Sequence, residues 1–173
     1  MSVFRALGEE HRLLWGLVVR LEAALQEKDE RIARRDARAV LLVLLRALEG
    51  HQGLEDLVFE SVGDSAAPEA LQALAFVENQ HQALEILRRE AVDLLEKASD
   101  LDLATLRRLA ERLSAALRVH FETEERDLWP RWNAVASRSA LRGLDHRAAQ
   151  RVEDLKREVR GWWAAVDEYL TGA

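Results

Sequence analysis

Four of the chain's five histidines, together with the glutamates that follow three of them, are the residues best suited to chemistry. His51 precedes Glu55, His81 precedes Glu85 and His120 precedes Glu124, each by four residues. That spacing stacks two side chains on one face of a helix. His11 has no such partner. In RVHFETEERDLWP, residues 118–130, His120 falls where the leucine spacing requires another buried apolar side chain, and Glu124 follows on the same face. Burying such groups unpaired costs on the order of several kcal/mol, so something must compensate them. Imidazole nitrogen and carboxylate oxygen are donors that suit iron, manganese or zinc. The expectation is a buried metal centre drawn from His11, His51, Glu55, His81, Glu85, His120 and Glu124.

The elements that must position these residues are helices. Apolar residues recur at alternating steps of three and four, the stripe of a packed helix. The first helix carries Phe4, Leu7, His11, Leu14, Val18, Leu21 and Leu25 and is expected to end near Lys28. The second starts near Arg31, carries Leu41, Leu44, Leu48, His51, Glu55 and Val58, and stops in SVGDSAAP, with Asp64 as a cap. The third runs from Pro68 to about Ala98 with Leu74, Val77, His81 and Leu84 on its stripe. Asp100 or Asp102 caps the fourth, which carries Leu106, Ala110, Leu113, Leu117, His120 and Glu124 and is closed by Pro130. A fifth helix spans about 139–171, with Val152, Leu155, Val159 and Trp162 as its stripe.

Long helices with short connections pack as an up-and-down antiparallel bundle. At a rise of about 1.5 Å per residue, His11, His51, His81 and His120 then fall at the same end of four successive helices and form a layer. His146 lies one position off the stripe of the fifth helix and is left out of it. Trp129, Trp132, Trp162 and Trp163 read as core and bundle-end packing. The fold expected is all-α: one domain over 1–173, with a metal-binding four-helix core over about 1–130 and a C-terminal extension helix.

Composition narrows the function classes. A net charge of -6 argues against nucleic acid as a partner, and the Arg31, Arg34, Arg35 and Arg38 patch reads as a solvated helix start. There is no cysteine, which excludes disulfides, thiolate ligands and thiol nucleophiles. The N-terminus MSVFRALGEEHRLL lacks a signal-peptide core, and the apolar run VLLVLL is far shorter than the roughly 20 residues of a membrane span. A soluble, cytoplasmic protein with no membrane partner is expected.

The ordered set of His11, HQGLE at 51–55, His81 and HFETE at 120–124 resembles the hemerythrin-like, or HHE cation-binding, domain over roughly residues 1–130. The resemblance implies a four-helix bundle holding two non-haem iron ions, bridged by carboxylates and an oxo or hydroxo group, that reacts with dioxygen, nitric oxide or peroxide. It further implies that His11, His51, His81 and His120 are terminal ligands and that Glu55 and Glu124 bridge. Oxygen-carrying members have a second histidine where this chain has Glu85, and an Asp where it has Glu125. The resemblance therefore implies sensing or handling of oxygen, redox state or iron rather than simple oxygen transport.

Other readings rest on the same residues. A ferritin-like di-iron bundle needs two Glu-x-x-His motifs, and only Glu78 with His81 provides one. A mononuclear or dinuclear metal-dependent hydrolase would need a substrate cleft beside the metal. The third alternative is a metal-stapled structural domain that forms a homodimer through the fifth helix and its tryptophans.

Overall fold

The computed structural model describes residues 2–63, 68–97, 101–135 and 138–171. All regular structure among them is helical: α1 (Val3–Leu25), α2 (Glu30–Gly63), α3 (Pro68–Lys97), α4 (Leu103–Thr123), α5 (Trp129–Val135) and α6 (Arg138–Thr171), with a π-helical turn, Glu124–Leu128, joining α4 to α5. Local chemistry sets several of the ends. Ser2 Oγ accepts from Arg5 N at 3.3 Å, and Asp102 Oδ1 accepts from Thr105 N at 2.7 Å, so each satisfies a donor that a helix start leaves open. Asp29 Oδ1 does the same for Arg31 N and Ile32 N, and α1 ends at Leu25, slightly before the expected Lys28. The expected caps Asp64 and Asp100 lie outside the described residues.

Contacts at the helix ends fix an antiparallel order. Arg107, near the start of α4, donates to the carbonyl of Leu25 at the end of α1 (3.0 Å), whereas Phe4 at the start of α1 meets Trp129 beyond the end of α4. Arg38, early in α2, donates to the carbonyl of Leu95, late in α3. The four helices α1 to α4 make the bundle, and α6 packs on the outer side of α1 and α2. It runs parallel to α1: Asp145 accepts from Val3 N at 2.8 Å, and Lys156 bonds Glu9 at 3.0 Å. Gly50 faces α6, where a Cβ would meet the guanidinium end of Arg151 and lie 3.6 Å from Leu155 Cδ1. Trp162 and Trp163 pack against the core of the same chain.

Two apolar clusters fill the molecule. One holds Leu14, Leu48 and Leu117 with their neighbours; the other holds Leu7, Leu54, Val77, Leu128, Trp129 and Trp132. His11, His51 and His120 fall between these flanking residues in sequence, so the histidine layer interrupts the core.

Pro130 does not close the fourth helix. The chain continues helically to Val135, with Pro130 in the first turn of α5. An α-helix here would need a Pro130 N–H that does not exist, and its ring would press on the carbonyl four residues back. The turn before it widens instead, and Trp129 N–H reaches the carbonyl of Glu124, an i to i+5 bond. This widening carries Trp132 into the core, where it is fully buried and meets Phe59 edge-on at 5.0 Å. Trp132→Ala should therefore destabilise the fold by about 3–5 kcal/mol in urea titration. A change near zero would show that the segment after Pro130 contributes nothing to the core.

Candidate metal centre

Each helix of the bundle delivers one histidine to the layer: His11 from α1, His51 from α2, His81 from α3 and His120 from α4. All four are buried, and Glu55 and Glu124 between them are 1% and 0% exposed. The rings form two close pairs, His11 with His51 at 4.9 Å and His81 with His120 at 4.7 Å between centroids. Glu55 lies between the pairs. Its Oε1 approaches His51 Nε2 to 3.0 Å and His11 Nε2 to 3.8 Å, while its Oε2 approaches His81 Nε2 to 3.0 Å and His120 Nε2 to 3.8 Å. Glu124 also faces both pairs, but not one oxygen to each: its Oε2 lies 3.3 Å from His11 Nε2 and 3.8 Å from His120 Nε2, and its Oε1 lies 4.0 Å from His81 Nε2.

These approaches lack hydrogen-bond geometry. Among the described residues, the Nε2 atoms of His11, His51 and His81 and all four oxygens of Glu55 and Glu124 are buried without a hydrogen-bond partner. Buried polar atoms are normally paired, so a cluster of convergent orphans is a cradle for something else. One donor atom each from His11, His51, Glu55 and Glu124 lies within 4.8 Å of the others, and the same holds for Glu55, His81, His120 and Glu124. The two groups share both glutamates. Nitrogen and carboxylate donors of this kind fit first-row transition metal cations.

Electrostatics point the same way. Glu55 is held well below the usual carboxylate range by His51, His11 and His120, against the cost of its burial. Burial pushes Glu124 well above that range, and the charge of Glu55 adds to the effect. Two carboxylates this close cannot both ionise without a positive charge between them. His11 and His51 supply part of it. Burial opposes their charged forms, but Glu124, Glu125 and Glu55 raise His11 to about 9, and Glu55 and Glu10 raise His51 to about 10. His120 is lowered by burial.

A second layer of groups orients the rings. Glu10 Oε2 accepts from His51 Nδ1 at 2.8 Å, and Glu125 Oε1 accepts from His11 Nδ1 at 2.8 Å. Each bond presents Nε2 of that ring toward the cluster. His11 is also stacked between Phe121 at 3.9 Å and Trp129 at 4.8 Å, and Phe59 stacks on His81 at 5.5 Å. Sequence reasoning missed Glu10, although it lies three residues after Leu7 and four before Leu14, on the buried stripe. Glu124 and Glu125 both face the cluster, because the π-helical turn that starts at Glu124 changes the phase.

Glu85 departs from the expectation. It is absent from both converging groups. Its carboxylate is turned to Arg88 and Arg89, accepting from Arg88 Nε and Arg89 Nε at 2.6 Å each, and Arg88 holds it below the usual carboxylate range. Three or four residues along the same helix, these guanidiniums are within easier reach than the layer. Glu85 and Arg88 instead line a cavity of about 20 Å³ that also touches His51, Glu55, His81 and His120. An open surface groove lined by Arg12, Trp15, Arg118 and Glu122 touches His11 and Glu125 but none of the other clustered residues. His146 is exposed, away from the layer.

A helical bundle with a histidine and glutamate cluster in its core defines a metal-binding bundle protein. The chain belongs to the hemerythrin HHE cation-binding domain family, which it matches over residues 2–132 and again over 72–172. It is, as such, a cation-binding domain. No curated protein and no solved structure matches it. No helix among the described residues is long and apolar enough to cross a membrane.

The raised imidazoles give the metal-free protein a definite pH response. Their ordinary value is 6.5, so the stability they confer is complete below that pH and is lost as pH rises through about 9 and 10. The melting temperature of metal-free protein should fall between pH 7 and 10.5, and less so with metal bound, because a cation must already have displaced these protons. A flat profile for the metal-free protein would mean that the histidines are neutral there.

Proposed function

We propose that the cluster holds two iron ions, with His11 and His51 on one, His81 and His120 on the other, and Glu55 and Glu124 bridging, and that the centre reacts with dioxygen or a related small oxidant. The observation that carries this reading is Glu55, whose two oxygens face different histidine pairs. A pair of ferrous ions would supply the electrons to reduce such an oxidant. The protein supplies position and seclusion. Trp129 and Trp132 and the two apolar clusters exclude bulk water on either side of the layer, and Glu10 and Glu125 keep the His51 and His11 donors aimed inward.

Size favours a small ligand over a hydrolytic substrate. Of the two spaces that touch the cluster, the one that reaches Glu55, at about 20 Å³, has room for about one water-sized molecule, and the open groove of about 410 Å³ meets only His11 of the clustered residues. An ester or phosphate substrate would need several hundred Å³. Carboxylate bridges also favour the more highly charged ferric state, which supports a role in oxygen, redox or iron sensing or handling rather than reversible carriage.

Anaerobic iron loading followed by elemental analysis should give two irons per chain. Glu55→Ala and Glu124→Ala should each abolish the pair, and His146→Ala should leave iron content unchanged. One iron per chain, or zinc retained in preference to iron, would contradict the reading. The reduced protein should oxidise on exposure to oxygen and stay oxidised when the gas is stripped. Full return of the reduced spectrum without reductant would instead identify a reversible carrier.

A further inference from the structure

The chain has no cysteine, and its one methionine stands at position 1. Thiol and thioether, the groups that small oxidants usually attack first, are thus all but absent. The readily oxidised side chains that remain are five tryptophans and one tyrosine. Among the described residues, Trp129 is the one tryptophan whose ring lies against a cluster histidine, stacked on His11 at 4.8 Å with 29° between the planes. Trp132 is one ring further away and reaches His81 only through Phe59. Trp15 lines the open groove of about 410 Å³ that touches His11, but the ring of that groove stacked on the histidine is Phe121, at 3.9 Å. A phenyl ring gives up an electron far less readily than an indole, so the groove side of His11 is insulated and the Trp129 side is not. Trp129 is buried, and its Nε1 has no hydrogen-bond acceptor among the described residues.

Reducing hydrogen peroxide to two waters breaks its O–O bond and consumes two electrons and two protons. A pair of ferrous ions supplies both electrons. A centre with one ferrous ion supplies only one, and peroxide that gains a single electron splits into hydroxide and a free hydroxyl radical. Resting on the iron reading above, we infer that Trp129 is an internal electron donor to the centre: it supplies the second electron when peroxide meets a half-reduced centre, so that the peroxide leaves as two waters. The electron passes from the indole through the stacked His11 ring, and the two protons come from solvent water. The indole keeps its Nε1 proton, because no acceptor among the described residues is in reach, and is left as a radical cation. Oxidative damage then falls on Trp129 rather than on the histidines and glutamates of the layer.

The test uses the full chain, loaded anaerobically with Fe²⁺, with one electron per chain then withdrawn by ferricyanide. It is mixed with one equivalent of hydrogen peroxide and frozen for electron paramagnetic resonance, while a second portion is exposed to air and digested for peptide mass spectrometry. Wild-type protein should show an organic radical whose lines narrow when its tryptophans carry deuterated indole rings, and oxygen addition should concentrate on Trp129. Fully reduced protein given the same peroxide should show neither. Trp132→Phe and Trp15→Phe should keep the radical, and Trp129→Phe should lose it. A radical that persists in Trp129→Phe, wild-type modification centred on Trp132 or Trp15, or no radical at all would overturn the inference while leaving two irons standing. If elemental analysis finds one iron per chain, that ferrous ion is itself one electron short, and the Trp129 signal should appear without ferricyanide. Its appearance there would uphold the inference as the two-iron reading fell, and its absence would overturn both.

Discussion

Glu55 and Glu124 sit side by side at the centre of the bundle, sealed from solvent and bordered by four imidazoles. Two carboxylates in that position repel each other and have lost their water. In the metal-free chain, protons stand in for the missing charge: Glu124 is driven toward its neutral form, and His11 and His51 toward their charged forms. This leaves seven buried donor atoms of His11, His51, His81, Glu55 and Glu124 without hydrogen bonds. A cation bound there, as proposed, would satisfy the carboxylates and the free nitrogens at once.

Much of the remaining architecture serves to keep that layer dry and in register. Four helices each contribute one histidine, and apolar residues on both sides of each histidine complete separate clusters above and below. The lower cluster depends on the chain after Glu124. Because Pro130 cannot donate to an α-helical ladder, the preceding turn opens into a π-turn. That turn lets consecutive glutamates serve the layer, Glu124 from within and Glu125 from behind His11, and it delivers Trp129 against the His11 ring. Helix α6 covers α1 and α2 outside the bundle, and Gly50, next to His51 in sequence, faces Arg151.

The sequence made the periodic part of this legible. Helix order and the histidine layer follow from steps of three and four and from helix length, and the same stripe leaves His146 out of the layer. What escaped it was local phase and competition. Glu85 has the same four-residue spacing from a histidine as Glu55 and Glu124, yet Arg88 and Arg89 capture its carboxylate. Pro130 reads as a terminator, but the helix accommodates it by widening. Glu10 is on the buried stripe but follows another glutamate and precedes the histidine, so nothing in the spacing separates an outer hydrogen-bond partner from a surface charge.

As proposed, a bound cation, not a network of protein hydrogen bonds, compensates Glu55 and Glu124. The most direct measurement is the melting temperature of one preparation, stripped of metal and then reloaded with Fe²⁺ without oxygen, at pH 7.5. Because the free energy of binding adds to that of folding, the loaded protein should melt many degrees higher, and Glu124→Gln should lose most of that rise. Equal melting temperatures for the stripped and loaded forms would mean that the buried groups already satisfy one another, and would contradict the account.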